Sequence, residues 1–120
     1  MIVAGFGFRS SATVESLRDA LGRTGGTPDA LATAQDKARQ PVFQALAKEL
    51  NLPVIAVDSA ALVAQEVTTQ SQAAIAARGT GSVAEAAALA ALKHPAQVLC
   101  ARQISNDRQA TCALAEGDRT

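Results

Sequence analysis

The sequence predicts an α/β protein: one domain of three layers, α/β/α, around a mixed, mostly parallel sheet of about five strands that ends in an antiparallel hairpin. Three observations predict it. Short apolar runs alternate with stretches of helical periodicity along most of the chain, the order that builds parallel strands with crossover helices. Two β-like runs then follow one another across a polar turn near the end. Ahead of these two runs lies an alanine-rich helix with almost no charge, too apolar all round for a surface position.

Residues 2–6 form an apolar run closing in glycines and read as a buried strand. Val14, Leu17 and Leu21 recur at helical spacing, with Ser10 or Ser11 as N-cap, Glu15 near the first turn, and Gly22 and Gly25-Gly26 as the stop. Thr27-Pro28 is a turn, and residues 30–34 a strand. Gln40-Pro41 opens a helix, since proline is tolerated in the first turn; Val42, Phe43, Leu46 and Leu50 are its apolar stripe. Residues 53–57 are a β-branched strand, and Asp58 or Ser59 caps a short helix reaching about Glu66. The polar connector 67–72 is long enough for a lid, and an alanine-rich helical piece leads from it to Gly79.

Gly79-Thr80-Gly81-Ser82-Val83-Ala84-Glu85 then reads as a glycine turn running into a capping box. The Ser82 hydroxyl would accept from the Glu85 amide while the Glu85 carboxylate reaches back to Ser82. The helix continues to about Leu92. Its first turn would present unpaired amides and a positive dipole end to whatever lies there. Residues 97–103 and 110–116 are the final strands, and Ser105-Asn106-Asp107-Arg108 has the chemistry of the turn between them. No internal repeat appears, and residues 1–120 read as one domain.

Composition excludes several functions. Eleven basic and eleven acidic residues cancel, so no net field draws the chain to nucleic acid or an anionic membrane. With no Trp, no Tyr and three Phe, it lacks the aromatic platform that single-stranded nucleic acid stacks on. No apolar run approaches the ~20 residues of a membrane span, and the start lacks the basic region of a signal peptide. A cytoplasmic protein is expected, with Cys100 and Cys112 as buried free thiols. The cysteines and the single histidine do not have the spacing of a metal site.

In open α/β sheets ligands sit outside the carboxyl ends of the strands. That rule brings the loop at residues 5–11 near the loop at 35–39. Gly5-Phe6-Gly7-Phe8-Arg9-Ser10 matches the first two glycines of a dinucleotide fingerprint, but Ser10 replaces the third, and Asp36 lies late for the ribose acid. The narrower expectation is an anion or carboxylate site: backbone amides at a helix N-terminus, with Arg9 and Lys37 beside them. Solvated loop cations are the plain alternative. His94, next to Pro95 at a helix end, is explained by the helix dipole. No nucleophile elbow or histidine pair supports catalysis, so a binding module is at least as well supported as an enzyme, and no cofactor is implied.

Taken together, Gly5-Phe6-Gly7-Phe8-Arg9, Thr33 with Lys37, Gly79 with Ser82-Val83-Ala84-Glu85-Ala86-Ala87-Ala88, and Ala110-Thr111-Cys112-Ala113 resemble the CobE/CbiG C-terminal domain family. Arg102 stands where that family's lysine is expected, a change that keeps the charge and alters its geometry. The resemblance implies a role in cobalamin (vitamin B12) biosynthesis, of the kind played by free-standing members in the aerobic route. It further implies a precorrin or corrin intermediate as ligand, whose many carboxylates suit Arg9, Lys37 and Arg102. Gly5, Gly7, Arg9, Ser10, Lys37, Thr80, Gly81 and Ser82 are the expected ligand contacts. Three roles follow from it: a carrier or accessory factor; an enzyme, hydrolase or isomerase, acting on the macrocycle; and a docking partner of a biosynthetic methyltransferase.

Overall fold

The computed structural model describes residues 1–58, 60–61 and 80–119. Five strands, β1 (Ile2–Phe8), β2 (Ala30–Ala34), β3 (Val54–Val57), β4 (Leu92–Ile104) and β5 (Ala110–Arg119), form one sheet in the order β3-β2-β1-β5-β4. β1 pairs in parallel with β2, and β2 with β3, whereas β5 runs antiparallel to both β1 and β4. β5 alone therefore points against the other strands.

The helices fall on both faces, for a topological reason. Helix α1 (Val14–Thr24) joins β1 to β2, and the short α2 (Gln35–Ala38) with α3 (Pro41–Leu50) joins β2 to β3. Both steps move the same way across the sheet, so right-handed crossovers put these helices on one face. The chain then returns to the opposite edge by way of α4 (Thr80–Ala90), and the same handedness sends that helix to the other face. Side chains alternate accordingly. Ala4, Phe6 and Phe8 pack with Leu17, Leu21, Phe43 and Leu46 on one side; Val3, Ala30 and Ala32 pack with Ala86, Ala87 and Ala88 on the other.

The second face packs closely, because many of its buried residues are alanines. A Cβ placed on Gly5 would lie 2.1 Å from the Ala84 carbonyl oxygen and 2.5 Å from the Ala88 amide nitrogen. The α4 backbone therefore rests directly on β1, which the missing Cβ of Gly5 permits. The expectation of a buried helix holds, with Ala84, Ala86, Ala87 and Ala88 all fully buried.

Several expectations need correction. β1 runs on to Phe8, so Gly5 and Gly7 lie inside a strand and form no phosphate-binding turn; the alternation of Ala4, Phe6 and Phe8 with the glycines is the reason. Residues 9–12 then make a turn, in which the Ala12 amide donates to the Arg9 carbonyl at 3.0 Å. The α1 cap passes from Ser10 or Ser11 to Thr13, whose hydroxyl accepts from the Ser16 amide while Ser16 Oγ accepts from the Thr13 amide. Residues 35–38, expected as loop, are the helical turn α2.

α4 begins at Thr80, so Ser82 is inside the helix, not at its cap, and Glu85 turns to another partner described below. β4 begins at Leu92, which places His94 in a strand and removes the helix-dipole account of it. Cys112 is buried, but Cys100 is only half-buried; both are free. Of the two caps expected after β3, Asp58 accepts from the Ala61 amide at 2.8 Å. The remainder of that helix, the connector 67–72 and the alanine-rich piece before Gly79 lie outside the described residues. Among the described residues no helix is long and apolar enough to cross a membrane.

The hairpin tip is docked as well as turned. Arg108 takes the left-handed conformation at φ 60°, and Ser105 and Ala110 exchange backbone and hydroxyl hydrogen bonds across the turn. Asp107 accepts from Ser105 Oγ and from Ser16 Oγ of α1, both at 2.5 Å, and Asp19 accepts from the Asn106 amide at 2.6 Å. Arg18 of α1 forms a two-pronged ion pair with Glu49 of α3, at 2.8 and 2.6 Å.

Candidate functional site

A cleft of about 240 Å³ opens at the carboxyl ends of β1 and β2, lined among the described residues by Gly7, Phe8, Thr33, Ala34, Asp36, Lys37 and Val83. Each wall has its own cause. Gly7 and Phe8 end β1, and Thr33 and Ala34 end β2 beside it. The chain turns at once into α2, which brings Asp36 and Lys37 over the strand ends. Val83 belongs to the first turns of α4, so the amino end of that helix stands beside the cleft.

Lys37 is the cation among the described residues of this lining. Its Nζ lies 5.4 Å from the centroid of the Phe8 ring, within the range of a cation–π contact worth roughly 0.5–1 kcal/mol at a partly exposed site. Phe8 is held in turn by Phe43, stacked at 5.7 Å and 11°, and Phe43 meets Phe6 edge-on at 5.5 Å and 73°. The ammonium therefore rests on a floor fixed from the core. Beneath it the strand ends are tied by hydroxyls: Thr33 Oγ1 donates to the Phe6 carbonyl at 2.8 Å, and Thr111 Oγ1 to the Gly7 carbonyl at 3.2 Å. Both threonines are buried, and these bonds give their hydroxyls partners inside the core.

Of the expected contacts, the structure brings Gly7 and Lys37 together in the cleft and sets residues 80–82 in the adjoining turns of α4. Gly5 lies deeper, under the α4 backbone. Arg9 and Ser10 are exposed and are not among the cleft-lining residues; the Arg9 amide instead donates to the Gln109 carbonyl at 2.9 Å. Arg102 lies on the edge strand β4, apart from the cleft lining. Sequence reasoning did not single out Phe8 as a wall or Val83 as a lining residue. The alternation through residue 8 was the signal for Phe8; none existed for Val83, whose place depends on a crossover to the far sheet edge. Among the described residues, no three His, Cys, Asp or Glu side chains group as metal ligands.

The family model for the cobalamin synthesis G C-terminus matches residues 2–115. The chain belongs to the CobE/CbiG C-terminal family. Solved structures agree across its length. The protein CobE of the cobalamin (vitamin B12) biosynthetic pathway is 34% identical over 96% of this chain and 89% of its own, with a TM-score of 0.76. The cobalamin biosynthesis protein chiG from Agrobacterium tumefaciens str. C58 is 32% identical over 98% of both chains, with a TM-score of 0.75. A cobalamin biosynthesis protein G homolog from Sulfolobus solfataricus shares the fold at a TM-score of 0.65, with 18% identity; this chain spans 36% of it. No curated protein sequence matches the chain. As a CobE/CbiG C-terminal family member it is a cobalamin-biosynthesis protein.

Proposed function

We propose that the protein binds a precorrin or corrin intermediate of cobalamin biosynthesis at the cleft on the β1 and β2 ends, working in the cytoplasm as a carrier or as an accessory to another enzyme of the aerobic route. The observation that carries this reading is Lys37: a half-buried cation on an aromatic floor, lining a cleft where α/β sheets take ligands. Intermediates on the way to the corrin ring are rich in carboxylates, and an ammonium is a natural partner for one of them. The apolar wall of Phe8, Ala34 and Val83 suits the hydrocarbon edge of such a ring.

The test is a titration of the pure protein with a corrin pigment, followed by gel filtration and the visible spectrum. Co-elution with an unchanged spectrum supports a carrier. A spectrum that evolves to a new species means that the protein transforms the macrocycle as an enzyme. If no pigment binds, a docking role on a biosynthetic methyltransferase replaces the reading.

A further inference from the structure

The size and charge of the cleft together restrict what part of a large ligand can enter it. At about 240 Å³ it falls below the roughly 300–1,000 Å³ of pockets that enclose a drug-sized molecule, and a corrin ring with its side chains exceeds such molecules. The ring cannot be engulfed here; a limb of it can.

The described part of the lining also bears on how many limbs are recognised. Among the described residues Lys37 is its cation, and Asp36, the residue before it in sequence, is an acid on the same lining. The Thr33 hydroxyl is committed to the Phe6 carbonyl. Lys37 itself has the Phe8 ring as its contact, at 5.4 Å, and neither ion pair of the described residues involves it. A ring face attracts an ammonium without saturating its three N–H donors, so those donors remain available to a carboxylate. Asp36 disfavours a second carboxylate nearby. Arg9 and Arg102, which a many-armed grip would need, do not line the cleft.

Resting on the corrinoid reading above, we propose that the cleft takes a single carboxylate arm of the macrocycle, paired with Lys37, while the ring stays outside against the apolar rim. Specificity then lies in the charge of one arm. Conversion of that arm to a primary amide removes the charge and releases the ligand, so an amidating reaction on that side chain belongs after this protein and not before it.

The test uses a cobalt-free corrin polycarboxylic acid, a set of isomers of it each carrying one amidated arm, and the fully amidated ring. Each is titrated into the wild-type protein and into Lys37→Gln and Arg9→Gln variants whose circular dichroism is unchanged. The expected result is loss of affinity by about tenfold or more for one mono-amidated isomer and for the fully amidated ring. Lys37→Gln should erase that discrimination and Arg9→Gln should keep it. Equal binding of acid and amide forms, loss graded over several isomers, or discrimination that survives in Lys37→Gln overturns the single-arm proposal and leaves corrinoid binding standing. Absence of binding by every pigment overturns both.

Discussion

Glu85 Oε2 accepts a hydrogen bond from the backbone amide of Arg102 at 3.1 Å. This bond joins α4 to the edge strand at a point where the β4–β5 register slips, between Cys100 and Gln103. An irregular edge strand leaves amides without a ladder partner, and such amides invite pairing with another chain. Glu85 fills one of them from within the same molecule. Exposed Val98, Leu99 and Ile104 on β4 make that cover more consequential.

Glu85→Ala should therefore expose the β4 edge. The expected cost is about 1 kcal/mol, the net worth of a hydrogen bond, together with faster hydrogen exchange at the Arg102 amide and concentration-dependent association in light scattering. Glu85→Gln, which keeps an acceptor oxygen, should stay close to wild type. Wild-type exchange at Arg102 in the alanine variant would remove the role assigned here to the carboxylate.

At Gly5 the expectation is steric. The added methyl of Gly5→Ala meets backbone atoms of Ala84 and Ala88, which no rotamer change can relieve. Overpacking of this kind costs on the order of 1–3 kcal/mol or more, so the midpoint of urea unfolding should fall sharply. An unchanged midpoint would mean that α4 does not lie against β1 as described.

Acid should loosen the hairpin tip. The Ser105 hydroxyl foremost, then the Ser16 hydroxyl and the Gln109 amide, hold the Asp107 carboxyl below its ordinary value. The Asn106 amide foremost, then Arg23, does the same for Asp19. A carboxyl depressed in the folded state contributes stability that is complete above its unfolded pKa of about 3.9 and is lost as pH falls through the folded value. Stability should thus be flat from neutrality down to about pH 4 and decline below it, with solvent screening moderating the slope. Asp107→Asn should flatten that acid limb; an identical acid limb in the variant would rule out this origin.

The two thiols should react very differently. Burial pushes the Cys112 thiol far up, while Cys100 is half-buried on the edge strand. Because the thiolate is the reactive form, a thiol reagent should modify one equivalent quickly in native protein, at Cys100, and the second only on unfolding. Rapid native labelling of Cys112 in a Cys100→Ser variant would contradict its burial in the sheet.

Much of this architecture was legible because local chemistry and fold agree. Pro41 at a helix start, the apolar stripe of α3, the β-branched run at Val54–Val57 and the Ser105–Arg108 turn each point one way, and the structure keeps them. The failures share a cause. Gly5 and Gly7 look like loop glycines because, in sequence, a glycine needed for close packing cannot be told from one needed for a turn. Glu85 sits at capping-box spacing from Ser82, yet its partner is 17 residues away in the chain, and no local pattern encodes that. The cleft was half visible for the same reason. Lys37 follows directly from the end of β2, whereas Val83 arrives from the opposite face by a crossover that periodicity does not specify.

The bare contact of α4 with β1 at Gly5 bears on how the cleft adapts to what enters it. Ala84, whose carbonyl faces Gly5, is the neighbour of Val83 in the cleft wall. At that point main chain is seated on main chain, so no side chain there can swing aside to widen or narrow the gap. The Phe8 floor is likewise wedged by Phe43. Among the described lining residues, Lys37 is the long flexible side chain: four methylenes carrying a charge over the Phe8 ring. If the cleft takes a carboxylate as proposed, differences in reach among ligands would be absorbed by one flexible side chain, and a shorter cation there would select by distance.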